Sequence, residues 1–291
     1  MRASLTRDRK VASGLLLRQL RDDGRLDRWL GDATSGLPGE ESRRVRSLVY
    51  GINRNRSFLE AHLEPYLKRP MDKQQPAIQI ALLLGSYELL FQDGVPDRAA
   101  VSQAVQLVRE RGHGGQTGLV NAILRRLSRR ELVPTFSDRS ASPVEWAVRC
   151  ASHPRWLVER MARLRSEAEA ADWAEANNRQ PPLWIRRAGP MATVPDAALE
   201  SPLVPGALAL PAGSGKRVAE LPGFSDGDWW VQDLAAQAVA LLVAAQPGQR
   251  VLDACAAPGG KSFAVGAAVG PSGRVLALDS SARRLEQLRS G

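Results

Sequence analysis

The chain has 291 residues, 44% of them hydrophobic, and a formal net charge of +9. That length predicts about two domains on a prior of roughly 150 residues each, and no run approaches the ~18 apolar residues of a membrane span. Two cysteines (Cys150, Cys255) and three scattered histidines (His62, His113, His153) leave neither a disulfide framework nor a metal site, which predicts a reducing, cytoplasmic setting.

Near the N-terminus the apolar piece Val11–Leu17 is short and runs into Arg18-Gln19-Leu20-Arg21-Asp22-Asp23, with no small-residue cleavage site of the kind a secretory segment carries. Residues 1–142 hold most of the positive excess, a net of +8 against +1 for residues 143–291. Arginine outnumbers lysine 35 to 5, which codon bias explains, but bias does not place the excess in one half. A basic module beside a nearly neutral one suits a domain that follows a phosphate backbone.

Residues 1–142 read as all-helical. Val11, Leu15, Leu16 and Leu20 recur at helical spacing, and Pro38 with Gly39-Glu40-Glu41 opens a second helix carrying Val45, Leu48, Val49 and Ile52. Phe58, Leu59, His62, Leu63 and Tyr66 form another helical face, on which His62 is a face residue and not a ligand. Pro76 begins a helix through Phe91 that is too apolar to lie on the surface and is predicted to be central. Asp97–Arg111 and Gly118–Arg130 complete the set, joined by a Gly112-His113-Gly114-Gly115 turn. Arg43, Arg44 and Arg46, the pair Arg54 and Arg56, and the pair Arg125 and Arg126 are the candidate phosphate contacts.

Residues 131–143 lack periodicity and read as a linker. Beyond them Ser152 or His153 is predicted to cap a helix begun by Pro154, with Trp156, Leu157, Met161 and Leu164 on one face. Ser166–Asn177 is a second helix, Leu183-Trp184-Ile185 a strand, and Val194–Leu199 a short helix. Residues 201–227 read as mostly turns. Gly213-Ser214-Gly215-Lys216 reads as a loop, because Leu210 stands where a phosphate loop needs glycine.

Trp229–Gln232 is a predicted strand and Leu234–Ala245 an apolar helix. Val251 and Leu252 begin a buried strand that ends near Asp253; residues 254–260 are small, proline or glycine; Lys261 and Ser262 open a helix through Val269. Arg274–Leu278 is a second strand, closed by Asp279. Twenty positions separate Gly259 from Asp279, the spacing at which a nucleotide-binding α/β unit places an acid for ribose hydroxyls. Two ligands compete for this turn. A P-loop requires glycine where Cys255 stands, although Gly260-Lys261-Ser262 fits. An S-adenosyl-L-methionine site needs a backbone that can approach an amino-acid tail, followed by a ribose carboxylate, and Asp253, the turn and Asp279 suit that.

Asp253-Ala254-Cys255-Ala256-Ala257-Pro258-Gly259-Gly260-Lys261-Ser262 resembles the first motif of the Sun-type RNA cytosine-C5 methyltransferases. Val231–Gln237 is similar to the segment before that motif, Ser152–Val158 and Asn177–Pro182 to the family's connecting region, and Gly118–Arg126 to the end of its NusB-like N-terminal domain. The resemblance implies an all-α NusB-like RNA-binding helical bundle (1–142), a small α+β connector (143–227), and the start of an α/β Rossmann-like methyltransferase domain (228–291). It implies S-adenosyl-L-methionine as cofactor, held by Cys255, Ala256, Ala257, Pro258, Gly259, Gly260, Lys261 and Asp279, and small-subunit ribosomal RNA as substrate.

A C5 methyltransferase needs a cysteine thiolate at cytosine C6. In the family it lies in a Thr-Cys-Ser motif, with a second cysteine in Pro-Cys-Ser-Gly; neither motif occurs here. Cys255 reads as a small packed residue and Cys150 as a core residue, so no catalytic residue is expected before residue 291. The methyltransferase domain reads as incomplete and the chain as inactive by itself. Two alternatives are a non-catalytic NusB-like RNA-binding protein with a methyltransferase remnant and a P-loop nucleotidase, the latter disfavoured by Cys255 in place of glycine.

Overall fold

A computed structural model describes residues 4–22, 24–210 and 218–290. The chain divides into two compact units, Met1–Arg179 and Gln180–Gly291.

The first unit is helical. Its first seven helices are α1 (Arg7–Gln19), α2 (Leu26–Thr34), α3 (Gly39–Arg54), α4 (Arg56–Leu63), α5 (Pro76–Phe91), α6 (Asp97–Glu110) and α7 (Thr117–Ser128). They share one core, in which α5 is the axis: every residue from Ala77 to Glu88 is buried. A helix apolar all round has no solvent face to offer, so α1, α3, α4, α6 and α7 pack around it. Each fully buried leucine there (Leu82, Leu83, Leu84) contributes about 1.5–3 kcal/mol. Two glycines set how closely neighbours approach. A Cβ on Gly51 of α3 would lie 2.0 Å from the Tyr87 hydroxyl, and one on Gly85 of α5 would lie 2.4 Å from Leu124 of α7.

Pro76 stands at the first position of α5, where its missing N–H costs nothing. Helix α2 has no counterpart in the periodicity reading; Leu30 and Thr34 are its buried residues, and Leu26, Trp29 and Ala33 pack against the core beside them. The unit closes with α8 (Pro143–Arg149), α9 (Arg155–Leu164) and α10 (Glu167–Asn178), which share a smaller core of Ala147, Ala151, Val158, Ala170, Ala171 and Ala174.

Neither Ser152 nor His153 caps α9, whose boundary residue is Pro154. Ser152 has φ of 56°, and its hydroxyl accepts a hydrogen bond from the Phe58 amide of α4. His153 is buried; its Nδ1 lies 2.7 Å from the Ala151 carbonyl and its Nε2 2.9 Å from Asn177 Nδ2. A carbonyl can only accept and an amide nitrogen only donate, so Nδ1 donates to Ala151 and Nε2 accepts from Asn177. The motif residues Ser152, His153, Asn177 and Asn178 are therefore a structural clasp joining α4, α8 and α10.

The second unit begins with an antiparallel sheet in the order β2–β3–β1–β4, made of β1 (Leu183–Arg187), β2 (Leu199–Glu200), β3 (Ala207–Leu210) and β4 (Trp229–Val231). Ile185, Leu208, Leu210 and Trp229 are its buried side. Two expectations fail here. Residues 194–198 are not helical, and the edge strand β2 takes up Leu199; β3 lies inside the stretch read as turns. A two-residue edge and a four-residue strand are too short to show alternation. The Gly213-Ser214-Gly215-Lys216 loop lies outside the described residues. β4 pairs with β1 and not with the strands that follow.

After α11 (Leu234–Leu242) come β5 (Arg250–Asp253), α12 (Gly260–Val269), β6 (Arg274–Ala277) and α13 (Ala282–Ser290). β5 and β6 pair in parallel, Val251 opposite Val275 and Leu252 opposite Leu276. Leu252 and Leu276 are both more than half exposed, so one face of this ribbon is uncovered.

Candidate cofactor turn and nucleic-acid interface

The β5–α12 turn is held from three sides. Asp253, at the end of β5, accepts the Cys255 amide on Oδ1 (3.1 Å) and the Ser262 hydroxyl on Oδ2 (2.7 Å), tying the strand end to the first turn of α12. The Ala256 amide donates to the Leu278 carbonyl at 2.9 Å, anchoring the turn to the end of β6. The Ala257–Pro258 peptide is cis. Gly259 has φ of 120°, a region open to glycine, and a Cβ there would lie 2.7 Å from the Phe263 ring. A Cβ on Gly260 would lie 3.2 Å from Gln232 Nε2. Gln232 is buried and its Oε1 accepts from Trp230 Nε1, so it backs the turn. No side chain caps α12, which leaves its first amides without a side-chain acceptor.

Asp279 follows β6 and faces the same turn. Its Oδ2 accepts the Ala257 amide at 3.2 Å and its Oδ1 the Ser281 amide at 2.9 Å. Arg284 Nη2 lies 3.0 Å and 3.3 Å from the two carboxylate oxygens. The Ser281 amide, then Arg284 and the Ala257 amide, hold its carboxyl below the ordinary carboxylate value against opposing desolvation. The group is an anion at neutral pH.

The sequence-predicted residues Ala256, Ala257, Pro258, Gly259, Gly260 and Lys261 line this one turn, with Asp279 across from them. Gln232 and Arg284 join them from outside the motif. Arg284 stands five residues after the acid, in the first turn of α13, and no helical contact spacing marks it in the sequence. Cys255 departs from expectation: it is exposed and not packed, while its amide donates to the Asp253 carboxylate. Cys150 is half-buried, and burial pushes its thiol up, away from thiolate. His62 is a helix-face residue, its Nδ1 2.9 Å from the Phe58 carbonyl, and burial pushes its pKa down.

The candidate phosphate contacts separate by partner. Arg44 is shared between Asp8 (3.6 Å) and Glu40 (3.8 Å), Arg46 donates to the Thr34 hydroxyl, and Arg56 pairs with Glu60. Arg126 pairs with Glu131 and lies over the Tyr66 ring. Arg43, Arg54 and Arg125 are exposed and have no carboxylate partner among the described residues.

Comparison with known proteins gives two regional matches. Residues 7–129 match the NusB family, and residues 240–291, which contain the whole turn and Asp279, match the family described as 16S rRNA methyltransferase RsmB/F. The chain carries a NusB domain followed by an RsmB/F methyltransferase region. A probable ribosomal RNA small subunit methyltransferase B from Synechocystis sp. is 34% identical over 87% of this chain and 58% of its own length. The ribosomal RNA small subunit methyltransferase B of Erwinia tasmaniensis is 30% identical over 98% of this chain and 66% of its own. The crystal structure of PH0851 superposes on all of this chain and 67% of its own, with a TM-score of 0.63 at 19% identity, a likeness of fold. The chain thus spans about three fifths of the length of the curated relatives it matches. The RsmB/F match runs through Gly260-Lys261-Ser262.

Proposed function

We propose that this chain supplies the RNA-binding, connecting and cofactor-binding parts of an S-adenosyl-L-methionine-dependent enzyme that methylates cytosine C5 of small-subunit ribosomal RNA in the cytoplasm. The division at 1–142, 143–227 and 228–291 follows that reading. The observation that carries it is the anionic Asp279 set across from a glycine turn whose leading amides are uncapped, inside the region matched to RsmB/F.

The residues present fit the cofactor. The uncapped amides at the start of α12 suit a carboxylate tail. The Asp279 carboxylate, kept ionised by the Ser281 amide and Arg284, suits a ribose diol. Gly259 and Gly260 let the turn pack closely against Phe263 and Gln232, and Asp253 holds both ends of the turn in place through Cys255 and Ser262. Bound there, the cofactor supplies an electrophilic methyl group.

The cytosine half of the reaction needs a thiolate at C6. Cys150 is held as a thiol by burial, and Cys255 belongs to the turn. The nucleophile is therefore assigned to neither. No helix is long and apolar enough to cross a membrane among the described residues.

Isothermal titration of the chain with S-adenosyl-L-methionine, and separately with ATP and magnesium, tests the reading. Binding of the methyl donor and not of ATP supports it. Binding of ATP-magnesium alone transfers the turn to phosphate chemistry.

A further inference from the structure

Helices α6 and α7 leave an open groove of about 540 Å³ between them. Its floor is Val101 and Val105. Its rims are arginines: Arg98 and Arg109 from α6, Arg125 and Arg129 from α7. Arg98, Ser102, Val105 and Arg109 follow one another at intervals of four, three and four, so they lie on one face of α6. At 1.5 Å per residue the two α6 arginines stand about 16 Å apart along the helix.

These guanidinium groups are poorly neutralised. Arg98 and Arg125 are exposed and meet no carboxylate among the described residues. Arg109 donates to the neutral Gln106 at 2.9 Å, and Arg129 reaches Glu131 at 3.4 Å. Asp97 is the one acidic residue lining the groove, against four arginines. Arg125 and Arg129 are also a like-charge pair one turn apart, an arrangement that destabilises a helix by a few tenths of a kcal/mol. A groove built this way is stabilised by an anion that bridges its rims.

We propose that the α6–α7 groove is a track for the phosphodiester backbone of RNA. This rests on the reading that the helical unit binds RNA, and it places the contact on a face of which only Arg125 was a candidate. The planar guanidinium fork matches phosphate with two parallel donors. Aromatic side chains do not line the groove, so bases have no stacking platform there and the contact positions RNA without reading its sequence.

The test uses the full 291-residue chain and a transcribed fragment of small-subunit ribosomal RNA, with affinity followed from about 50 to about 200 mM salt. In Arg98→Gln/Arg125→Gln/Arg129→Gln, the slope of log K against log salt falls by about 2, at roughly 0.7–0.9 for each phosphate that is no longer neutralised. The corresponding Arg→Lys triple variant keeps most of the slope. Asp97→Asn tightens binding several-fold, an outcome that misfolding cannot produce. Neutralising the already paired Arg44 and Arg56 (Arg44→Gln/Arg56→Gln) moves the slope by less than about 1. Wild-type binding with an unchanged slope in the groove triple variant overturns the groove and leaves RNA binding standing. Absence of wild-type binding at low salt removes the RNA reading itself. Tighter binding of polyglutamate than of RNA, abolished in the triple variant, overturns the proposal in favour of an acidic protein partner.

Discussion

Replacing Arg9 by methionine tests how the helical unit holds a charge in its core. Arg9 on α1 donates to Glu88 Oε1 of α5 through Nε at 2.8 Å and Nη2 at 2.7 Å; its side chain is 10% exposed and that of Glu88 1%. The other carboxylate oxygen, Oε2, has no partner. Burial pushes the Glu88 carboxyl above its ordinary value of 4.5 even though Arg9 pulls it down. Arg9→Met removes that pull and leaves a buried carboxylate without a donor, a change that costs about 3–5 kcal/mol at neutral pH. With a denaturant dependence of about 2 kcal/mol per molar, the urea midpoint of helix loss falls by roughly 1.5–2.5 M. The pH dependence has a definite sign. Glu88 titrates higher folded than unfolded, so its favourable contribution is complete below the unfolded value and is lost as pH rises through the folded one. The defect in Arg9→Met therefore shrinks on acidification toward the ordinary value of 4.5. The double variant Arg9→Met/Glu88→Leu lies within about 1 kcal/mol of wild type or above it, since replacing a whole buried pair is often neutral. A single variant destabilised by less than about 1 kcal/mol, with no pH dependence, would refute the reasoning.

The cofactor turn gives three further expectations. Gly259→Ala puts a β-carbon at φ of 120° and 2.7 Å from Phe263, strain of about 1–3 kcal/mol that should weaken S-adenosyl-L-methionine binding by roughly 5- to 150-fold; calorimetric affinity within about twofold of wild type rules it out. Asp279→Ala, which removes the acceptor facing Ala257, should weaken the same binding about tenfold or more while leaving circular dichroism unchanged, and unaltered affinity takes Asp279 out of the site. The chain alone should transfer no labelled methyl group to unmodified ribosomal RNA, because its two cysteines are a protonated half-buried thiol and a turn residue; incorporation abolished by Cys255→Ser would show the nucleophile to be in the turn.

What a sequence discloses follows from how each element makes its contacts. Helix α5 is legible to the residue, because Pro76 marks its start and its all-round apolar surface admits only a central position. The β5–turn–α12–β6 order is legible because glycine, proline and a spaced acid leave few other conformations open to the backbone. Helix α2 is less so: Leu26, Trp29, Leu30 and Ala33 fall at helical spacing against the core, but the signal spans only nine residues, and contacts such as Tyr50 to Asp27 and Arg18 over Trp29 add to it. The short strands β2 and β3 escape notice for a related reason, since β2 is held by β3 and β3 by β1, and such a register lies between segments.

The site shows the same division between local and distant causes. Motif residues within one turn of Gly259 can be assigned from their types alone. The supports that hold them cannot, because Gln232 and Leu278 act from other elements and Arg284 acts on Asp279 only once α13 has formed. The arginines divide in the same way. Arg43 to Arg46 look like the stronger cluster in sequence, yet Asp8 and Glu40 neutralise Arg44, and Thr34 takes up Arg46. Arg98 and Arg125, far apart along the chain and unremarkable singly, come to rim one groove that holds a single carboxylate, Asp97, once α6 and α7 pack. Charge density along a sequence measures the supply of cations. The fold decides which of them remain available to a phosphate.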